Sequence, residues 1–148
     1  MAILQILKYP DETLTKVSKQ VTDFDARLHQ LLDDMRETMA KAGGMGLAGV
    51  QVGRILRICL VHTKEGIVEL INPEIIFRNK VKRGDEGCLS IPNENYKIKR
   101  HHIITVAAKD RHGKEFTKDF HGIEAVCVQH EMDHMDGVMI NSETKHHS

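Results

Sequence analysis

The chain has 148 residues, enough for one domain built around a single hydrophobic core. Its apolar fraction of 41% and charged fraction of 28% are typical of a soluble globular protein. Basic and acidic residues balance at 21 each, so the composition gives no sign of the clustered positive charge that nucleic-acid-binding proteins and membrane-surface helices need.

Targeting signals are not evident in the sequence either. The first residues, MAILQILKYP, have too short an apolar run and no basic flank for a signal peptide. No stretch has the roughly 20 apolar residues of a membrane span. Three cysteines without a disulfide-dense pattern are typical of a reducing compartment. We therefore expect one cytoplasmic domain over residues 1–148, ending in a polar, disordered tail at about 141–148.

Helical patterns come first along the chain. PDETLTKVS, which begins at Pro10, predicts a short helical turn. The next segment, DARLHQLLDDMRETMAKAGG, repeats apolar residues at spacings of three and four, which predicts an amphipathic helix. Gly43 and Gly44 should end it, because glycine readily adopts the positive φ that helix C-termini favour.

Strand patterns follow, and then a last helix. Segments rich in Ile, Val and Leu or alternating in polarity predict strands at 54–62, 66–77, 103–110 and 114–120. A final periodic segment predicts a helix over about 123–134. The order of helix, strands and helix predicts an α+β fold with antiparallel sheets packed around a C-terminal metal-binding helix.

The last predicted helix carries the motif HEMDH. His130 and His134 are one turn apart on one face and could bind a single metal ion. Glu131 lies between them in angle, where a general base that activates water would stand. The same three residues can also occur by chance on a solvated helix. A catalytic metal site needs a third protein ligand, which the helix alone does not identify.

Three cysteines compete for that position. Cys127 is seven residues from His134, about 10.5 Å along a helix axis, which is too far for donors converging on one ion. We interpret it as a small apolar wall residue beside the site. Cys59 lies within a predicted strand and is interpreted as structural. Cys88 follows glycines and precedes Pro92, in an irregular connection or at a sheet edge, so elimination favours Cys88.

Three motifs occur together and in a particular order: GMGLAGVQ (44–51), EGCLS (86–90) and HEMDH (130–134). This combination resembles the peptide deformylase family, and the similarity runs from about residue 3 to about 140. The resemblance implies a peptide-deformylase-like fold. It also implies a metal-dependent hydrolase that removes the N-formyl group from the formylmethionine of nascent polypeptides and releases formate.

The resemblance also implies a role for individual residues. Cys88, His130 and His134 would bind the metal, and Glu131 would be the catalytic acid and base. The Gln51 side chain and the Leu89 backbone N–H would stabilise the oxyanion. Substrate-binding positions would be Met45, Gly46, Gly87, Val126 and Cys127, and the metal loop would be supported by Glu86 and Arg100.

The implied metal is one divalent ion, ferrous iron in the cell, with zinc, nickel or cobalt able to take its place. Two departures from the family pattern stand out. Gly49 replaces a second alanine in the first motif, which predicts a looser loop. The sequence ends with GVMINSETKHHS, without the C-terminal helix thought to dock bacterial members on the ribosome. This weakens the expectation of a ribosome partner and is compatible with a phage-encoded form acting in a bacterial host.

Two other functions compete with this interpretation. A zinc peptidase could use the same helix, but an obvious downstream histidine or glutamate ligand is lacking. A metal-stabilised module that binds formylated N-termini is the non-enzymatic alternative. Glu131 and Gln51 argue against it, because binding alone needs no proton transfer.

Overall fold

The computed structural model describes residues 2–141, so most of the predicted tail lies outside the described residues. Its elements in chain order are helix α1 (Ala26–Ala42) and strands β1 (Gly46–Ala48), β2 (Ile58–Thr63), β3 (Gly66–Cys88), β4 (Ile91–Lys109) and β5 (Glu115–His121), followed by helix α2 (Gly122–Met135). Short 3-10 turns occupy Glu12–Thr15 and Gly49–Val52. Neither of the two helices within 2–141 is both long and apolar enough to cross a membrane.

Helix α1 is bounded by the signals that the sequence predicts. The carboxylate of Asp25 accepts a hydrogen bond from the Leu28 N–H at 3.1 Å and caps the N-terminus. Gly43 follows the last helical residue with φ +68°, and its N–H donates to the carbonyl groups of Met39 and Ala40. The predicted helix is therefore confirmed with nearly unchanged bounds.

All five strands form one antiparallel sheet in the order β1-β2-β3-β4-β5. The α+β prediction is confirmed, but the strand bounds are not. β2 starts at Ile58 rather than at 54, β3 continues to Cys88 rather than ending at 77, and β4 starts at Ile91 rather than at 103. The added length is a hairpin of β3 with β4 that is largely polar, so hydrophobic periodicity could not reveal it.

The two helices pack on opposite faces of the sheet. Buried residues of α1 form one core with Leu47, Leu60 and Ile71. On the other face, α2 packs its apolar residues against β4, including Ile104 and Val106. Burying each such aliphatic side chain contributes roughly 1.5–3 kcal/mol. Every residue of α2 from 128 to 135 is buried, so the polar residues of this helix must find partners inside the protein.

A charge cluster joins α1 to the sheet. The half-buried Arg111, in the turn between β4 and β5, donates to Glu69 of β3 at 2.9 Å and to Asp33 of α1 at 2.9 Å. Arg36 of α1 donates to the second oxygen of Glu69 at 3.0 Å. Burial raises the pKa of Glu69, but the hydrogen bonds from Arg111 and Arg36 outweigh it and leave the pKa below its usual value of 4.5.

This shift predicts a pH-dependent contribution to stability. Because the folded-state pKa of Glu69 is lowered, its contribution is present above about pH 4.5 and is lost as the pH falls through the folded-state value. We expect Glu69→Gln to lower the free energy of unfolding by about 1–2 kcal/mol near neutral pH. Urea denaturation near pH 7 and near pH 3 measures the effect. The exposed Glu115→Gln is the control, and a Glu69→Gln penalty that stays constant at low pH would contradict the prediction.

Candidate metal centre

The end of β3 and the buried helix α2 bring three potential ligands together. The donor atoms of Cys88, His130 and His134 all lie within 4.8 Å of one another. The Cys88 Sγ is 3.4 Å from the His134 Nε2. Metal–sulfur bonds of ~2.3 Å and metal–nitrogen bonds of ~2.0–2.1 Å produce donor separations of this size. Three ligands leave the fourth tetrahedral position open for water or substrate.

Buried ionic contacts orient His130. Its Nδ1 donates to Glu86 at 3.0 Å, which leaves Nε2 facing the other donors. Arg100 binds the same Glu86 through two hydrogen bonds of 2.7 and 3.0 Å and also donates to Asp133 at 2.6 Å. The Arg100 side chain is only 1% exposed. Glu86 and Arg100, which the resemblance paired, therefore form a bidentate contact that extends into α2.

The charges of this region favour a bound cation. Three carboxylates are buried here, those of Glu86, Glu131 and Asp133, and Arg100 is the buried cation that pairs with two of them. Burial raises the pKa of Glu86, but hydrogen bonds from His130 and Arg100 bring it below its usual value. The carboxylates thus outnumber the guanidinium, and this favours a further positive charge beside the Cys88 sulfur, which a proton on His130 or a divalent ion would supply.

The two histidines lie in different electrostatic surroundings. Burial lowers the pKa of His134 well below its usual value, so its ring is neutral, as metal binding requires. Burial also lowers the pKa of His130, but hydrogen bonds to Cys88 and Glu86 raise it to about 10. The surroundings of His130 therefore favour positive charge, which a metal ion would supply in place of a proton. The residues present fit a metal centre.

A cleft of about 400 Å³ opens over these donors. Its lining includes all five residues that the resemblance assigns to substrate binding, Met45, Gly46, Gly87, Val126 and Cys127. Another cleft, of about 500 Å³, lies beside the N-terminal half of α1, but none of the described residues lining it is a histidine or cysteine. The smaller cleft is therefore the one that contains the reactive groups.

Glu131 stands at the wall of this cleft. Burial raises its pKa to about 7. A Cβ placed on Gly46 would lie 2.6 Å from a Glu131 carboxylate oxygen and 2.7 Å from the Cys127 sulfur, so a larger residue cannot occupy that position without displacing them. Burial also raises the pKa of Cys127 well above its usual value, which keeps its thiol neutral and suits an apolar wall.

Gln51 is buried rather than on the surface, and its amide is fixed at both ends. Its Oε1 accepts from the Ala48 N–H at 3.0 Å, and its Nε2 donates to the Ser90 hydroxyl at 3.2 Å. The same Nε2 lies 3.8 Å from the Cys88 sulfur. The amide donor is therefore directed towards the metal donors.

Hydrogen bonds from the N-terminal segment hold the two loops that carry Gln51 and Leu89. The Leu7 N–H donates to the Gln51 carbonyl at 2.7 Å, and the Tyr9 N–H donates to the Ser90 carbonyl at 2.8 Å. Between them, Lys8 Nζ donates to the Leu89 carbonyl at 2.9 Å. The two loops that present Gln51 and Leu89 are thus held by one stretch of backbone.

Some contacts at this site were not predicted from the sequence. Ser90 and Asp133 lie inside the quoted motifs, but their roles depend on partners elsewhere in the chain, Gln51 and Arg100. Gln129 bonds both the N–H and the carbonyl of His101, at 3.0 and 2.6 Å, and so anchors α2 to the edge of β4. In the sequence, the available signal for this contact was a glutamine directly before a metal-binding histidine.

The loop containing Gly49 is packed more closely than expected. Gly49 is buried, and a Cβ on it would lie 2.9 Å from the Arg54 carbonyl oxygen and 3.1 Å from that of Leu56. The Arg54 N–H also donates to the Gly49 carbonyl at 2.9 Å. The loop is therefore closely packed at Gly49, because the missing methyl group lets the following backbone approach.

The buried network predicts a large stability effect. Arg100→Met would leave Glu86 and Asp133 buried without their cation, and we expect a loss of about 3–5 kcal/mol in the free energy of unfolding. The control is Arg27→Met, whose side chain is 91% exposed and 3.5 Å from Asp25. It should cost less than about 1 kcal/mol. Urea denaturation compares the two variants, and equal losses would refute the prediction.

Known proteins resemble this chain over almost its whole length. A family model described as Polypeptide deformylase matches residues 3–148. A peptide deformylase of Caldicellulosiruptor bescii is 46% identical over 139 residues, which cover 94% of this chain and 84% of that protein. One of Chromobacterium violaceum is 45% identical over 142 residues, covering 94% and 85%.

Solved structures agree with the sequence comparisons. A Legionella pneumophila peptide deformylase superposes with a TM-score of 0.91 at 42% identity, covering 94% of this chain and 84% of that one. An Ehrlichia chaffeensis enzyme in complex with actinonin gives 0.91 at 36% identity, covering 95% and 87%. A Met-Ala-Ser-bound enzyme of Acinetobacter baumannii gives 0.89 at 29% identity, covering 95% and 98%. The chain belongs to the peptide deformylase family, whose members remove the N-formyl group from nascent polypeptides.

Proposed function

We propose that deformylation takes place in the cleft over Cys88, His130 and His134, with these three residues holding one divalent metal ion. The observation that carries the proposal is the convergence of their donor atoms to within 4.8 Å beside the buried Glu131. When bound, the ion would act as a Lewis acid and lower the pKa of water towards ~7.

Glu131 moves the proton in this proposal. Its carboxylate takes a proton from the attacking water and later delivers it to the departing amine of the peptide. The position fits because Glu131 lines the cleft and is adjacent in sequence to His130. Gly46 leaves the carboxylate oxygen unobstructed, since any Cβ there would collide with it.

Gln51 and the backbone N–H of Leu89 stabilise the negative oxygen of the tetrahedral intermediate. The Gln51 amide suits this role because hydrogen bonds to Ala48 and Ser90 fix its orientation before substrate binds. Losing one such fixed donor typically costs ~10²–10³ in rate.

Specificity for formylmethionine comes from the side chains that line the cleft. Met45, Val126 and the neutral Cys127 offer an apolar surface for a methionine side chain. Gly87 lies at the exposed edge of β3, where the substrate backbone can pair as an added strand. The Acinetobacter baumannii relative binds Met-Ala-Ser, a tripeptide that begins with methionine, which supports this assignment.

We also propose ferrous iron as the metal in the cell, nascent formylated chains as the substrate, and the bacterial cytoplasm as the compartment. A thiolate ligand supports the choice of a transition metal, since magnesium and calcium prefer oxygen ligands. Bacterial relatives support the compartment. Docking on the ribosome would need contacts outside the cleft.

The first prediction from this proposal concerns Glu131. Glu131→Gln should reduce formate release from formyl-Met-Ala-Ser by at least about 10²-fold, because the proton acceptor is removed. Bound metal, measured by elemental analysis, should stay at the wild-type level. Glu124→Gln, on the same helix, should keep full activity. Activity of Glu131→Gln within tenfold of wild type would refute the role, and formyl-peptide binding without turnover by the wild type would favour a binding module.

A second prediction concerns the ligand set. Cys88→Ala should lose stoichiometric metal, whereas Cys127→Ala should keep it, because only Cys88 lies with both histidine donors. A metal present at 1,000 times its Kd should stabilise wild type and Cys127→Ala by about 4 kcal/mol and leave Cys88→Ala unchanged. Calorimetry with and without metal measures this. Equal metal loss in both variants would contradict the assignment.

The same preparations test the identity of the metal. The anaerobic ferrous enzyme should turn over formyl-Met-Ala-Ser and lose activity in air as the thiolate and iron oxidise, while the zinc form should be insensitive to air. If the ferrous enzyme releases no formate without oxygen, the proposed iron dependence is wrong.

A further inference from the structure

The polar hairpin of β3 and β4 carries a concentration of positive charge. Six exposed cations lie within it, which we call the basic hairpin: Arg78, Lys80, Lys82, Arg83, Lys97 and Lys99. None of them forms a salt bridge with a carboxylate of residues 2–141. The exposed acids of the same hairpin are Asp85 and Glu94. A chain of zero net charge therefore presents a locally basic surface.

The strand register places like charges opposite each other. Arg83 pairs with Lys99, and Lys82 pairs with Arg100. Like charges directly opposite each other on an antiparallel pair destabilise it, by up to about 1 kcal/mol. The carboxylates of Glu86 and Asp133 compensate Arg100, but no described carboxylate compensates Lys82, Arg83 or Lys99. An anionic partner outside the chain would remove the repulsion.

Protection of an open strand edge accounts for some of these charges but not for all of them. β3 pairs with β2 only as far as Ile71, so beyond that residue no described strand covers its second edge. All residues from 76 to 85 are exposed. Charged side chains, lysine especially, prevent such an edge from pairing with other chains. Residues 78–83 contain four cations and no acid, and Arg83 lies opposite Lys99, so this segment carries more like-charge repulsion than keeping an edge unpaired requires.

We propose that the basic hairpin binds RNA through the phosphate backbone, without reading its sequence. Because side chains alternate along a strand, Arg78 and Lys82 project from one face of β3, and Arg83 projects from the other face beside Lys99. A flat anionic membrane can contact only one face of a ribbon, whereas a flexible single strand of RNA can bend around the edge and contact both. Phe77 is 52% exposed on the Arg83 face and offers a ring on which a base can stack.

Most of this surface is distant from the metal centre, although β3 carries both and Lys97 lies opposite Asp85 of the cleft wall. At about 3.3 Å per residue, Arg83 lies roughly 17 Å along the strand from Cys88. Bound RNA would therefore leave the cleft open to a peptide. The inference does not depend on the catalytic roles proposed above, since RNA binding can be measured without turnover.

The test is fluorescence anisotropy with a labelled single-stranded RNA of about 12 nucleotides, titrated with the metal-loaded enzyme between about 50 and 200 mM KCl. Wild type should bind with a strong salt dependence. The triple variant Lys82→Glu, Arg83→Glu and Lys99→Glu should bind more than tenfold more weakly. Its slope of log affinity against log salt should be smaller by about 2, because each phosphate that the protein no longer neutralises reduces the slope by ~0.7. Edge protection is retained in this variant because the edge stays charged.

The matched control carries the same change in net charge elsewhere. Lys16→Glu, Lys41→Glu and Lys114→Glu reverse three exposed lysines away from the hairpin. RNA affinity should stay near the wild-type value in this control, and both triple variants should retain turnover of formyl-Met-Ala-Ser. Equal weakening in both variants, no RNA binding by wild type, or tighter hairpin-dependent binding to phosphatidylserine vesicles than to RNA would each overturn the proposal.

Discussion

The buried guanidinium of Arg100 links three elements that the metal centre needs. It extends from β4, holds Glu86 of β3 through two hydrogen bonds and holds Asp133 of α2 through a third. Glu86 in turn fixes the ring of His130. Charges removed from water are tolerated only when they are paired in good geometry. Displacing any one of these groups would therefore leave the others buried without a partner. The orientation of a metal ligand is thus tied to the packing of a helix on a sheet.

Helix α2 shows why such pairing is needed. Its apolar residues, such as Ala125, Val128 and Met132, fill the core against the sheet, yet its last turns also bury five polar side chains. Because residues 128–135 have no solvated face, each polar group buried there requires its own partner. Gln129 forms hydrogen bonds with the β4 backbone, and Asp133 accepts a hydrogen bond from Arg100. Buried polar residues would destabilise an ordinary hydrophobic core, but in this helix they include the reactive groups of the site.

The sequence predicted what depends on local pattern and missed what depends on distant pairing. The capped helix α1 and the one-turn spacing of His130 and His134 follow from neighbouring residues alone. The full lengths of β3 and β4 do not, because their polar segments are strands only by virtue of pairing with each other. Cys88 could be reached only by elimination or by resemblance, since the fold brings it to α2. Ser90 and Asp133 had no assigned role, because hydrogen bonds across the fold define their roles.

The same limit applies to charge. Balanced totals of 21 acidic and 21 basic residues suggest a surface on which the two charges are evenly mixed. Folding instead separates negative charge and positive charge between different parts of the protein. Carboxylates such as Glu86, Glu131 and Asp133 are drawn inside, where a cation is needed, and their charge no longer offsets lysines outside. The polar half of β3 is left with cations on both faces and like charges across the register. A buried negative centre and an exposed positive strand are therefore two consequences of one distribution, and net charge calculated over the whole chain conceals both.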